Sequence, residues 1–189
     1  MPVTPLHSMP RPAVLFAGQG SEWQSFIAAA THTPATAQRL QEVLAQARMF
    51  IAPAARSVAS TCPGAVERLE QLIGGEAERE PGDVLPAVSI PGIVLGQIAA
   101  IEQLRDLGVS LDVTAGHSQG SLGEMAVDKP AEALALALLM GTASTAVNGT
   151  DPRSQMLSVR GLERDFIAQR LHGTAAIAAV NGRRHLVPV

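Results

Sequence analysis

Tyrosine is absent from this chain, and aromatic side chains of any kind are scarce: four Phe and one Trp in 189 residues. So few rings leave little with which to stack on bases or sugars. Cysteine is almost absent as well, and the lone Cys62 excludes an internal disulfide framework and suits a reducing compartment. Positive charge is not in excess, since 17 Asp and Glu face 14 Lys and Arg for a net charge of −3. A broad electrostatic surface for nucleic acid is therefore not expected. The small cluster Arg183, Arg184 and His185 reads as a solvated turn. No apolar run approaches the ~20 residues of a membrane span. The opening MPVTPLHSMPRP, residues 1–12, has no apolar signal core and reads as a flexible leader. These absences point to a soluble, cytoplasmic protein with neither nucleic acid nor membrane as partner.

What is present is a 47% hydrophobic, 16% charged composition, enough for one good-sized core. AVLFAG (residues 13–18) is a short apolar run closed by glycine, as a buried parallel strand reads. A helix follows, with Ser21 as its N-cap and Glu22 in its first turn. A second helix spans residues 33–50, with Pro34 at its start and Leu40, Val43, Leu44 and Ala47 on one face. A short helix ends at Gly74 and Gly75, and EAEREPGD (residues 76–83) reads as a charged, exposed loop. The apolar stretch after it predicts a largely buried helix over about 90–107, with Pro91 in the first turn and Ile93, Gln97, Ala100 and Leu104 at helical spacing. LDVTAG (residues 111–116) is a second strand candidate, followed by a short helix, a break at Lys129-Pro130 and a strongly apolar helix. The rhythm then changes to strand, helix, strand, an Asn181-Gly182 hairpin signal, and strand. The expected fold class is α/β: a parallel-sheet, hydrolase-like body over 13–150, then a small α+β subdomain beginning at 151–189.

AGHSQGSLGE (residues 115–124) carries the chemistry. Gly116-His117-Ser118-Gln119-Gly120 fits G-x-S-x-G, the nucleophile elbow. Its strand-to-helix turn is so tight that side chains two residues either side of the serine would collide. The turn lifts the serine oxygen clear of the sheet, where the backbone N–H of Gln119 can stabilise an oxyanion. A tight turn with a capping serine fits the same five residues. FAGQGS (residues 16–21) is a glycine-rich loop after the first strand. It lacks the Gly-Lys-Ser/Thr of a phosphate loop and the third glycine of a dinucleotide fingerprint. It reads better as the source of a second oxyanion donor, the Gln19 N–H, with a plain turn as the other reading.

LFAGQGSEW, VSIPGIVLGQIAAIEQLRDLGV and AGHSQGSLGE together resemble the acyltransferases that load acyl groups from coenzyme A onto acyl carrier protein. With Gln after the serine, the chain is most similar to the acetyl/acyl-transferase domain of type I fatty acid synthases of the fungal and mycobacterial kind. The tail AAIAAVNGRRHLV resembles the ferredoxin-like subdomain that these enzymes insert after the elbow helix. The resemblance implies that Ser118 forms the acyl ester and that Gln19 and Gln119 line the oxyanion hole. It implies no bound cofactor and no metal: coenzyme A enters as the thioester substrate, and the partners are an acyl carrier protein domain and other synthase domains.

Departures from that pattern matter equally. A serine nucleophile needs a base, and the histidines are His7, His32, His117, His172 and His185. His117 adjoins Ser118, where its side chain is expected to diverge from the serine oxygen, and His172 and His185 read as surface residues. In the family the catalytic histidine lies further downstream, so the chain reads as the N-terminal portion of a domain, without that histidine. Malonyl-specific members hold an arginine on the apolar helix, where a guanidinium grips a free carboxylate. Ala143 stands there, with no cation between Lys129 and Arg153, so a neutral acyl group such as acetyl is expected. Ile90 replaces a frequent glutamine and fits a more apolar pocket. The competing readings are a serine hydrolase or thioesterase, and a catalytically incomplete structural segment of a synthase.

Overall fold

A computed structural model describes residues 12–18, 22–51, 64–75, 80–148, 159–172, 177–182 and 184–188. Residues 1–11 of the leader, Gln19, Ser21, Cys62 and residues 149–158 lie outside them. The chain forms two compact units, Met1–Gly149 and Thr150–Val189.

The first unit is mostly helical. Its described sheet has two three-residue strands, β1 (Val14–Phe16) and β2 (Thr114–Gly116), which run parallel with Phe16 opposite Gly116. Both are shorter than the runs 13–18 and 111–116 that the sequence suggested. Between them lie α1 (Trp23–Thr31), α2 (Pro34–Phe50), α3 (Ala65–Ile73) and α4 (Pro86–Asp106); α5 (Gly120–Ala126) and α6 (Pro130–Asn148) follow β2. The expected parallel-sheet body is thus reduced, among the described residues, to one strand pair set against a helical core. Helix α1 is capped by Glu22, which stands outside its first turn and makes no side-chain cap. Helix α2 begins at Pro34 as its pattern predicts, and buries Leu40, Leu44 and Ala47.

Helix α4 organises this unit. It begins at Pro86, four residues before the expected start, so Pro91 falls in the second turn and removes a bond to the Ala87 carbonyl. The Ala87 N–H is satisfied across the core by Thr145 Oγ1 at 2.9 Å. Ile90, Ile93, Val94, Leu95, Ile98 and Ile101 are all buried, because α4 packs against α1, α5 and α6 at once. Gln97, Ala100 and Leu104, taken from the sequence as part of the buried stripe, are only half-buried. Gly92 and Gly96 receive Trp23: a methyl group on Gly92 would stand 2.6 Å from its ring. Helix α4 and residues Pro130–Val147 of α6 are long and apolar enough to cross a membrane, which corrects the expectation that no such run exists. Much of each is buried within the unit, as core helices surrounded by partners are.

The end of the expected charged, exposed loop is structured and partly buried. Its last residues form a 3₁₀ turn, Pro81–Val84, in which Asp83 is only 4% exposed. Arg68 on α3 meets its carboxylate with two parallel hydrogen bonds, Nε to Oδ1 at 2.8 Å and Nη2 to Oδ2 at 3.0 Å. The Glu80 N–H and Gln24 Nε2 also donate to Oδ2, so one carboxylate joins α1, α3 and the entry to α4. Burial pushes the Asp83 carboxyl up, but the hydrogen bonds from Arg68, Glu80 and Gln24 and the Arg68 charge together hold it below its ordinary 3.8.

In the second unit, β3 (Val159–Arg160), β4 (Ile177–Gly182) and β5 (His185–Pro188) form an antiparallel sheet of order β3-β5-β4, with α7 (Arg164–Leu171) between β3 and β4 in the chain. Asn181-Gly182 is not the hairpin turn. Gly182 pairs with His185 and Arg184 lies in the turn, while a register shift between Val180 and Gly182 accommodates the Asn-Gly step within the strand.

Removing one partner of a buried ion pair leaves the other charge uncompensated. Asp83→Asn is expected to lower the unfolding free energy by about 3 kcal/mol or more, measured by urea denaturation at neutral pH. A depressed carboxyl contributes its full stability above 3.8 and loses it as pH falls below that value. The gap between wild type and Asp83→Asn should therefore narrow on acidification below 3.8.

Candidate active site around Ser118

Ser118 sits where β2 ends and α5 begins, with φ at 57°, the only positive φ of a non-glycine residue among those described. That conformation brings Cβ toward the following carbonyl and costs about 1–2 kcal/mol. It is held by its surroundings. The His117 N–H donates to the Phe16 carbonyl at 3.1 Å, tying the turn to the end of β1. The Gly120 N–H returns to the His117 carbonyl at 2.9 Å, and Ser121 N–H to the Ser118 carbonyl at 3.0 Å.

The glycines are there for lack of space. A methyl group on Gly116 would land on the backbone of Gly120 and Ser121, and one on Gly120 would land on the Phe16 carbonyl. Gly18, leaving β1, passes equally close: a methyl group on it would stand 2.8 Å from the His117 carbonyl oxygen and 3.0 Å from Ser118 Cβ. Backbone therefore crosses backbone on both sides of the serine, and Ser118 is left exposed. The adjacent Gln119 N–H has no acceptor among the described residues, and Gln119 Oε1 is buried without a partner. Gln19, the expected second donor, lies outside the described residues.

Of the histidines, His117, His32 and His172 are exposed, and among the described residues no hydrogen bond joins a histidine to Ser118. Ala143 is an exposed position on α6, and Ile90 belongs to the main core. Sequence reasoning overlooked Gln97 as a site residue. Its Nε2 donates to the Ala17 carbonyl at 2.6 Å, immediately before Gly18. The available signal was an amide in the middle of an otherwise apolar helix.

No family model matches the chain. Over 185 residues, covering 92% of it, the chain is 29% identical to the hybrid PKS-NRPS synthetase pvhA of Talaromyces variabilis. In three dimensions it superposes on the crystal structure of the acyltransferase domain from the second module of the salinomycin polyketide synthase, with a TM-score of 0.62 at 24% identity over 96% of the chain. The fold is similar to that of an acyltransferase domain. The chain spans 39% of that solved chain and 4% of the synthetase.

The strain at Ser118 makes a checkable statement. Ser118→Gly frees the backbone for a positive φ and should raise stability by about 1 kcal/mol, whereas Ser118→Ala, which keeps the Cβ, should not. Paired urea denaturation curves measure the difference.

Proposed function

We propose that this chain carries the nucleophile of an acyltransferase within a multidomain synthase of the fatty acid and polyketide kind. The observation that carries the reading is Ser118 itself. An exposed serine at positive φ, between a parallel strand and a helix and flanked by glycines that cannot bear a Cβ, meets the requirements of a nucleophile elbow and supports that reading. The acyltransferase-like fold supports it. The Gln119 that follows the serine is the feature shared with type I fatty acid synthase domains, while both relatives come from polyketide assembly.

In this reading Ser118 Oγ attacks the carbonyl carbon of an acyl-coenzyme A thioester while its proton passes to a general base. That base is none of the described histidines, since none is hydrogen-bonded to Ser118, and the resemblance implies a histidine further downstream in the synthase. Negative charge gathers on the former carbonyl oxygen, where the free Gln119 N–H donates to it. The tetrahedral intermediate collapses with loss of the coenzyme A thiolate, leaving an acyl ester on Ser118. The phosphopantetheine thiol of an acyl carrier protein domain then attacks that ester, and Ser118 recovers its proton as the acyl thioester leaves. The loop of Gly18 and Gln19 is assigned the second oxyanion donor. No guanidinium lies on α6 to pair with a substrate carboxylate, and Ala143 fills the position concerned, so the acyl group is a neutral one such as acetyl.

Intact-mass analysis after incubation with acetyl-coenzyme A, and separately malonyl-coenzyme A, tests this reading. Acetylation of wild type, slow because no described histidine is bonded to Ser118, should map to Ser118 and be absent from Ser118→Ala, with malonyl transfer at least about tenfold slower still for want of a charge-assisted pair. Preferential malonylation would overturn the neutral-acyl assignment. An ester that water clears at once would point to a hydrolase instead, and no adduct at all would favour a purely structural segment.

A further inference from the structure

We propose that Gln97 is a positioning residue that fixes the glycine-bearing loop against Ser118, an assignment that rests on Ser118 being the nucleophile. Gln97 comes from α4, 80 positions after the carbonyl it grips, so the contact is tertiary and not a local helix feature. Its Nε2 donates to the Ala17 carbonyl at 2.6 Å, while its Oε1 is buried without a partner. The amide cannot be turned round, because two oxygens would then face each other at that distance. An acceptor is thus left unpaired in order to present the donor.

The space around the amide is shaped for it. Gly123 on α5 faces it, and a methyl group there would fall 2.7 Å from Gln97 Cδ and 2.9 Å from the Phe16 ring. The side chain is therefore wedged between the end of β1 and the helix that follows the serine. Ala17 is the last residue before Gly18, and Gly18 is the residue that passes Ser118 Cβ. Since the peptide unit is planar and trans, drawing the Ala17 carbonyl toward α4 directs the Gly18 N–H the opposite way. One hydrogen bond from the rigid core helix thereby sets the orientation of the Ala17–Gly18 peptide, which leads into the loop assigned the second oxyanion donor in the proposed function. The neighbouring bond from His117 N–H to the Phe16 carbonyl, at 3.1 Å, places the serine turn on the same short strand.

The full chain carrying Gln97→Met, which keeps the volume but not the donor, tests the assignment with two readouts. The first is the rate at which a fluorophosphonate labels Ser118. It should fall by about ten- to a hundredfold at saturating probe, with little change in the half-saturating concentration, as expected for a misplaced site rather than lost binding. The second is hydrogen exchange. The His117 amide should exchange faster than in wild type while the amides of α6 keep their protection. Gln97→Glu should behave like Gln97→Met at neutral pH and approach the wild-type rate, measured at each pH, as acid protonates the carboxyl and restores a donor. Wild-type labelling together with wild-type exchange in Gln97→Met overturns the proposal. Faster exchange across α6 as a whole also overturns it, because Gln97 would then be a plain stability residue. Should wild type itself take no label at Ser118, the nucleophile reading fails, and exchange at His117 alone decides whether Gln97 positions the turn.

Discussion

Three backbone segments meet where there is no room for a single Cβ, and the rest of the first unit is arranged to hold them there. The end of β1, the Ser118 turn and the start of α5 touch through Gly18, Gly116 and Gly120. At such distances the chain has one way through, and that way forces Ser118 to a positive φ. The strain is local, but what maintains it is not. A two-stranded sheet with three residues per strand contributes few hydrogen bonds of its own. The helical core behind it has to supply the stiffness.

Helix α4 is the main source of that stiffness. It is buried on nearly every side, accepts Trp23 against Gly92 and Gly96, and is tied to α6 through Thr145. From the same helix, Gln97 reaches the carbonyl at the end of β1. Further off, the Arg68–Asp83 pair fixes the segment entering α4 against α3 and, through Gln24, against α1. Buried ion pairs of this kind add little net stability over an apolar packing, but loss of either partner leaves an uncompensated buried charge.

Legibility in the sequence followed the range of each interaction. The Ser118 turn could be read because its requirement is steric and local: glycine, serine and glycine at fixed spacing between an apolar run and a helix. The boundaries of α2 and α6 could be read from Pro34 and Pro130, which mark first helical turns directly. The burial of Asp83 could not, since a carboxylate among Glu76, Glu78 and Glu80 looks solvated until Arg68 is brought up by the fold. The start of α4 was misplaced because Pro86 and Pro91 both suit a first turn, and only the tertiary contact of Ala87 with Thr145 favours the earlier one. Asn181-Gly182 carries a strong turn signal, yet pairing with β5 draws it into the strand and moves the turn onward. Gln97 went unrecognised as a site residue for the same reason as Asp83: its partner is supplied by chain topology.

On the proposed function, this crowded crossing presents Ser118 Oγ to an acyl carbonyl carbon and the Gln119 N–H to the oxygen of the same carbonyl. A crystal structure of the chain after reaction with a serine-directed phosphonate tests it most directly. Phosphorus should be bonded to Ser118 Oγ, with a phosphoryl oxygen within hydrogen-bonding distance of the Gln119 nitrogen and Ser118 still at positive φ. A phosphonate on another residue, or an oxygen turned to solvent with Ser118 relaxed to negative φ, would contradict it.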